Sequence, residues 1–150
     1  MARHERSAGF LIFHRRPGTP SAFRFLLLDH GRHWDFAKGH VDKDESDFDA
    51  AVRELREETG ITRIISVPEF QQEIEYFFRS GRHGVIRKTV VFFLAEVART
   101  DVILSEEHVG FEFLPFEQAV KRATFAAGKQ LLRVAHEHLI SAAPAAATTS

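Results

Sequence analysis

Three glutamates lie three and four positions apart in one short stretch of the 150-residue chain: Glu54, Glu57 and Glu58. If this stretch is a helix, the spacing places their carboxylates on one face, where the like charges repel each other. A hard divalent cation neutralises such a cluster, and carboxylate oxygens suit magnesium or manganese. The residues therefore predict a site for Mg2+, with Mn2+ as the alternative. A solvated acidic helix face is the competing interpretation of the same residues.

Flanking residues predict the helix itself. Ser46 is followed three positions on by Asp49, which is a capping-box-like start, and Gly60 lies just past the expected end. Apolar residues at helical spacing form the predicted buried stripe, namely Phe48, Ala51, Val52 and Leu55. This apolar face would anchor the metal-binding helix on a hydrophobic core.

A longer pattern encloses the helix. It consists of Gly39, five residues, Glu45, seven residues, and the run Arg53-Glu54-Leu55-Arg56-Glu57-Glu58-Thr59-Gly60-Ile61. The pattern matches the Nudix box at every defined position, so the chain resembles the Nudix hydrolases. The resemblance implies an α/β fold of the Nudix type: an α/β/α sandwich with a mixed β-sheet and the loop-helix-loop motif of residues 39–61.

The resemblance also implies roles for the residues of the box. Glu57 and Glu58 become the main metal ligands, Glu54 becomes a ligand or the general base, and Arg53 and Glu45 orient the cluster. The implied reaction is hydrolysis of a phosphoanhydride, because a cation on the non-bridging oxygens lowers the barrier to attack by water. The predicted catalytic residues are Gly39, Glu45, Arg53, Glu54, Glu57 and Glu58.

The flanks of the box resemble the asymmetrical diadenosine tetraphosphate hydrolases. The similar segments are Ser7-Ala8-Gly9, Phe25-Leu26-Leu27-Leu28, His33-Trp34, Lys38-Gly39-His40-Val41, Arg87-Lys88-Thr89-Val90, Leu94-Ala95-Glu96-Val97 and Leu104-Ser105-Glu106-Glu107-His108. Bacterial RNA pyrophosphohydrolases usually have Gln-Gly-Gly in place of Lys-Gly-His. The match departs at Asp35-Phe36-Ala37, where the diadenosine tetraphosphate hydrolases commonly have proline before the lysine.

Basic side chains in these flanks suit a phosphate chain. Lys38 and Lys88 supply point charges for a long polyanion, and His40 and His33 can donate hydrogen bonds to it. Each of them, taken alone, is also compatible with an ordinary surface or structural position. Only His40 gains support from its place in a motif.

Two aromatic residues and one further acid are assigned by resemblance alone. Glu107 would complete the metal site, and Tyr76 with Phe125 would clamp an adenine ring, an interaction that tolerates different bases. A place in the hydrophobic core is the competing interpretation of Phe125, while Tyr76 lies at strand spacing with Ile74.

The remaining chain predicts the elements that carry these residues. Strands are expected at 9–13, 23–28, 61–67, 70–78, 85–97 and 111–114, with a loop at the Pro and Gly residues of 17–21 and a long polar loop at 29–45. One or two helices are expected over 116–140, with a break near Gly128. Residues 1–141 then form one Nudix domain, and residues 142–150 a mobile tail.

Composition excludes several classes of site and partner. Twenty basic and twenty-one acidic side chains give a net charge of −1, so no stable nucleic-acid binding is expected. The chain has no Cys, which excludes disulfides and thiolate zinc sites. No apolar run is long enough for a membrane span and the start lacks a signal peptide, so a cytoplasmic location is expected. Nothing in the sequence fixes the oligomeric state.

Three hypotheses for function follow. The first is asymmetrical hydrolysis of diadenosine tetraphosphate, a small nucleoside polyphosphate, to ATP and AMP by metal-activated water. The second is a broader pyrophosphohydrolase for RNA 5′ ends, dinucleoside polyphosphates or inositol pyrophosphates. The third is a catalytically silent domain that binds a nucleotide as a sensor. The complete set of glutamates argues against the third, because a pure binder has no need of a general base.

Overall fold

The computed structural model describes residues 3–16, 18 and 22–148, with side chains up to residue 142. The elements, in chain order, are β1 (Arg3–Arg15), β2 (Phe23–Asp29), β3 (Trp34–Asp35), β4 (Ala37–His40), α1 (Asp47–Thr59), β5 (Ile65–Ser80), β6 (Gly84–Val97), β7 (Gly110–Pro115), α2 (Phe116–Arg122) and α3 (Ala126–Thr148). Three helices therefore accompany seven strands in the described part of the chain.

All seven strands form one sheet. The main path runs β3-β2-β1-β6-β5, while β4 pairs with β1 and β7 pairs with β2. Strands β1 and β6 are parallel, and the other pairs are antiparallel. The predicted mixed sheet is confirmed.

Helices cover both faces of the sheet. Alternate residues of a strand point to opposite faces, so each central strand contributes side chains to both packed layers. On one face, Phe10, Ile12 and Leu28 pack with Ala51 and Leu55 of α1. On the other face, the packed residues are Leu11, Phe13, Phe25, Leu27, Phe92, Leu94, Ala119, Leu132 and Ala135, the last three from α2 and α3. The predicted α/β/α sandwich is therefore confirmed.

Helix α1 begins and ends where the sequence predicts. The Ser46 side chain accepts a hydrogen bond from the Asp49 N–H at 3.0 Å, and Gly60 adopts a left-handed conformation with φ of 73°. The predicted buried stripe is wrong at Phe48, which is exposed and contacts Phe10 by its edge at 5.7 Å between ring centroids. Its position in the first turn leaves one side of the ring outside the packed layer.

The long polar loop predicted at 29–45 contains two short strands. In β4, Lys38 lies opposite Gly9 of β1, so this segment pairs with β1 as a short antiparallel strand of the sheet. The predicted strands at 61–67 and 70–78 are one strand, β5, with a register shift between Ser66 and Gln71. Residues 61–64 lie outside β5. Strands of two to four residues are too short to show a clear alternation, which explains why the sequence did not indicate them.

The predicted break between two helices is present, a few residues before Gly128. The break lies at residues 123–125, and Gly128 is in the first turn of α3, where a Cβ would be 3.5 Å from the Phe36 ring. Gly128 thus lies within the helix, against Phe36, and does not reverse the chain. The predicted tail begins inside α3, which runs to Thr148, and its mobility stays a prediction.

Some predictions fall on positions outside the described residues. These are most of the loop at 17–21, the first two residues of the predicted domain and the last two of the predicted tail. Within the described part of the chain, no helix is long and apolar enough to cross a membrane.

Candidate active site

Strand β4 and helix α1 meet at Gly39. A Cβ at this position would lie 2.1 Å from the carboxyl carbon of Glu54 and 2.3 and 2.4 Å from its two oxygens. Since real Cβ atoms do not approach so closely, only glycine leaves room for the Glu54 carboxylate here. Because Gly39 has no side chain, the carboxylate of Glu54, a predicted metal ligand, can lie against β4.

Arg53 links three parts of the site. Its Nε and Nη2 donate to the two carboxylate oxygens of Glu45 at 2.9 and 3.0 Å, and its Nη1 donates to Glu54 at 2.9 Å. Nη2 also donates to the backbone oxygen of His40 at 2.9 Å. The Arg53 guanidinium lowers the pKa of Glu45 to about 2, while Glu45 raises the pKa of Arg53. This geometry is what an orienting role for Arg53 and Glu45 requires.

The three glutamates have different surroundings. The exposed fraction of the side chain is 54% for Glu57, 16% for Glu54 and 6% for Glu58. Burial raises the pKa of Glu58, and the neighbouring carboxylates of Glu54 and Glu107 raise it further. Glu58 is therefore the member of the cluster whose charge is least tolerated in the absence of a cation.

The carboxylates fit a divalent cation. One oxygen of Glu58, Oε2, is buried without a hydrogen-bond partner, although a buried polar atom usually has one. In residues 3–16, 18 and 22–148, no three His, Asp or Glu side chains are already gathered into a metal cluster. Arg53 instead holds Glu54 and lies 3.5 Å from Glu57. A cation would supply the charge that the crowded carboxylates lack.

The loop before β7 brings Glu107 to this cluster. The Ile103 N–H donates to the Thr59 oxygen at 2.9 Å, and the Ser105 N–H donates to the Glu58 backbone oxygen at 3.2 Å. Glu107 is exposed and near enough to raise the pKa of Glu58. The loop thus carries Glu107 close to Glu58, and the role of Glu107 as a metal ligand stays a prediction.

His108 is a residue of the site that the sequence did not single out. Its buried ring places Nε2 3.2 Å from Glu58 Oε1, without hydrogen-bond alignment, and Nδ1 3.0 Å from the Ser105 hydroxyl. Burial lowers the pKa of His108. The only signal was its place beside Glu107, which does not indicate that one side chain is buried and the other exposed.

Three of the predicted phosphate-binding residues, Lys38, His40 and Lys88, share the face of the sheet opposite α1. Lys38 and His40 pair with alternate residues of β1, and Lys88 lies directly across from Tyr76. Burial, followed by the charge of Lys38, lowers the pKa of Lys88. His40 is exposed, with its Nε2 3.7 Å from Glu5 Oε1. The two lysines are therefore close together, and His40 lies at the exposed edge of this group of residues.

A cavity of about 390 Å3 adjoins Lys38. Its lining residues include Tyr76, Phe125, Ile74, Phe36, Asp35 and Lys38. Tyr76 is 41% exposed and Phe125 is 49% exposed, so the interpretation of Phe125 as a core residue is wrong. His33 is not part of this lining; its ring lies 5.2 Å from that of Phe125 and is stacked on His30 at 4.6 Å.

Hydrogen bonds hold Phe125 at the cavity. The preceding residue, Thr124, donates its N–H to the Trp34 oxygen at 3.2 Å, and its hydroxyl accepts from the Trp34 N–H at 2.8 Å. These contacts fix the break between α2 and α3 against β3. Phe125 is thereby presented to the cavity instead of to the core.

Comparisons with known proteins agree with this arrangement. Residues 3–134 match the NUDIX domain family. The asymmetrical bis(5′-nucleosyl)-tetraphosphatase of Mus musculus is 38% identical over 91% of this chain and 96% of its own length. An RNA pyrophosphohydrolase of Nitratiruptor sp. is 30% identical over 61% of this chain and 64% of its own length.

A solved structure extends the likeness to the fold. The crystal structure of a Caenorhabditis elegans Ap4A hydrolase binary complex superposes with a TM-score of 0.75 and 31% identity, covering 95% of this chain and 98% of that chain. The family match, the relatives and the shared fold lead to one conclusion. The chain belongs to the Nudix family of hydrolases, enzymes that generally use divalent metal cations.

Proposed function

We propose that this enzyme hydrolyses diadenosine tetraphosphate asymmetrically, to ATP and AMP. The observation that carries the proposal is the position of Lys38 between two sites. Its side chain lines the cavity of Tyr76 and Phe125, and its backbone N–H lies close enough to Glu58 to lower the pKa of that carboxyl. A base site and a carboxylate cluster thus adjoin at one residue, which suits a nucleoside that carries a phosphate chain.

The chain's own residues have distinct tasks in this proposal. Tyr76 and Phe125 stack on one adenine, which contributes ~1–3 kcal/mol per base. Lys38 and Lys88 bind the phosphate oxygens next to that base. Both aromatic side chains are partly exposed in the free protein, so a base can reach them without unpacking the core.

The carboxylates would hold magnesium, or alternatively manganese. The ligands would come from Glu54, Glu57, Glu58 and Glu107, and the bound cation supplies charge neutralisation and activation of water. Arg53 keeps Glu45 and Glu54 in fixed positions by the hydrogen bonds described above. Of these glutamates, Glu54 is a ligand or the general base that takes the proton of the attacking water. The choice of a hard cation such as magnesium or manganese follows from the donor set, which consists of oxygen atoms alone.

A broader pyrophosphohydrolase is the second candidate. The base cavity has a mainly apolar wall, and stacking on aromatic rings does not select one base. A substrate panel of diadenosine tetraphosphate, nucleoside triphosphates, triphosphorylated RNA and an inositol pyrophosphate, tested at equal enzyme concentration, separates the two. The cytoplasmic location and the lack of stable nucleic-acid binding stay predictions.

Product analysis tests the main proposal. Hydrolysis of diadenosine tetraphosphate in oxygen-18 water should give equal amounts of ATP and AMP, with one labelled oxygen in one of the two products. Two ADP as the main product would contradict asymmetrical cleavage. Faster turnover of triphosphorylated RNA than of the dinucleotide would favour the second candidate.

A further inference from the structure

Asp35 lies in the short segment where the chain departs from the diadenosine tetraphosphate hydrolases. It belongs to β3, opposite Leu28, and is only 7% exposed, although a buried carboxylate is costly unless it is paired. The sequence assigned no role to this residue. Its side chain lines the same cavity as Tyr76 and Phe125.

Both carboxylate oxygens of Asp35 have a partner. Oδ1 accepts a hydrogen bond from the Phe36 N–H at 2.8 Å, which fixes the orientation of the carboxylate. Oδ2 accepts a charged hydrogen bond from the ammonium of Lys38. The Lys38 side chain remains 25% exposed, so the ammonium is held on one side and accessible on another.

An ammonium has three N–H donors, and Asp35 accepts from one of them. The others remain available to phosphate oxygens. A free lysine side chain loses rotamer entropy when a ligand fixes it, and a lysine already held by a buried carboxylate loses less. Lys38 is therefore preorganised in the free protein.

We propose that Asp35 is a positioning residue that fixes the Lys38 ammonium in the wall between the base cavity and the carboxylate cluster. Asp35 acts through Lys38 and does not itself contact the phosphates. The inference rests on the proposed function only in that the substrate carries a polyphosphate chain. It does not depend on which nucleoside is attached.

A double-mutant cycle tests this role. The variants are Asp35→Leu, which has the same branched shape, larger methyl groups and no acceptor, Asp35→Asn, which keeps an acceptor without the charge, Lys38→Met, and each Asp35 change combined with Lys38→Met. Asp35→Leu is expected to lower kcat/KM by about tenfold, mainly through kcat, and Asp35→Asn by less, since misplacement of a positioned group is costly. In the Lys38→Met background, either change should alter kcat/KM by less than about twofold.

Two results would overturn the proposal. If the loss of kcat/KM caused by an Asp35 change multiplies with the loss caused by Lys38→Met, the role of Asp35 is structural. If Asp35→Asn and Asp35→Leu have equal effects and both variants bind the substrate more tightly than the wild type, Asp35 acts only by its charge. If Asp35→Leu does not fold, Asp35→Asn and its double variant complete the cycle.

The controls separate this test from that of the proposed function. Asp101→Asn removes an exposed aspartate far along the chain and should leave kcat/KM unchanged. The cycle is measured on whichever polyphosphate the substrate panel shows to be turned over. A failure of diadenosine tetraphosphate as substrate would therefore contradict the proposed function and leave the test of Asp35 intact.

Discussion

Gly39 lies so close to Glu54 that a Cβ at position 39 would come within 2.1 Å of the Glu54 carboxyl carbon. Gly39→Ala must therefore displace this carboxylate or separate β4 from α1. We expect kcat to fall by roughly a hundredfold, because a shift of about 1 Å in a positioned group can cost that much. Steady-state kinetics at saturating magnesium, with a thermal unfolding curve to verify folding, measure the effect.

A matched glycine serves as control for that substitution. A Cβ on Gly81, in the loop between β5 and β6, would meet nothing within 4 Å. Gly81→Ala should leave kcat unchanged. A folded Gly39→Ala protein with normal turnover would show that the Glu54 position does not matter for catalysis.

Glu57→Gln and Glu58→Gln test the carboxylate cluster. Each change keeps the shape and removes a charge, and we expect turnover to fall by about a hundredfold or more as charge stabilisation by the metal is lost. Without metal, the Glu58→Gln protein should be at least as stable as the wild type, because a buried acid with a raised pKa is replaced by a neutral group. The stabilisation that magnesium gives the wild type should shrink in both variants.

Thermal unfolding with and without magnesium, together with turnover, measures these effects. Asp49→Asn, an exposed change in the first turn of the same helix, is the control and should behave like the wild type. Near-normal turnover of both glutamine variants at saturating magnesium would exclude these residues as ligands.

Tyr76→Ala and Phe125→Ala test the base clamp. Either change should weaken binding of diadenosine tetraphosphate about ten- to a hundredfold, which corresponds to ~1–3 kcal/mol for a stacked base. The effect should appear mainly in KM, and hydrolysis of inorganic polyphosphate, which has no base, should be unaffected. Phe77→Ala is a matched control, since Phe77 is exposed on the opposite face of the same strand. Equal losses on both substrates in a folded Tyr76→Ala protein would contradict the clamp.

His136 predicts a pH dependence of stability. Its ring stacks on Phe116 at 3.9 Å, and burial lowers its pKa below the ordinary value. In the unfolded chain the pKa of this histidine is about 6.5. Between that value and the lower pKa of the folded state, the unfolded chain binds the proton more readily. The free energy of unfolding therefore falls as the pH drops from about 6.5 through the folded-state pKa. His136→Phe keeps the ring and should reduce this loss. Free energies of unfolding between about pH 7.5 and about pH 5, an interval that includes that value, measure the difference.

The comparison is with His83→Gln, which removes a histidine from an exposed turn. This variant controls for the loss of one histidine from the chain. If His136→Phe gave a curve parallel to the wild type over this interval, burial of the neutral imidazole would not contribute to acid sensitivity.

Much of helix α1 was predictable from sequence, because its signals are local. The Ser46 cap, the left-handed Gly60 and the spacing of the glutamates act within a few residues of each other. The mixed sheet and the sandwich followed from the resemblance. Tyr76 and Phe125, assigned in the same way, do line one cavity.

What only the tertiary structure decided depends on contacts between distant parts of the chain. Spacing alone made the three glutamates equivalent, whereas their exposure differs because the loop carrying Ser105 covers Glu58 and leaves Glu57 open. Phe125 faces a cavity because Thr124 bonds to Trp34, far earlier in the chain. No local pattern encodes such partners, since the free energy of burial and hydrogen bonding at these residues depends on neighbours that only the folded chain brings together.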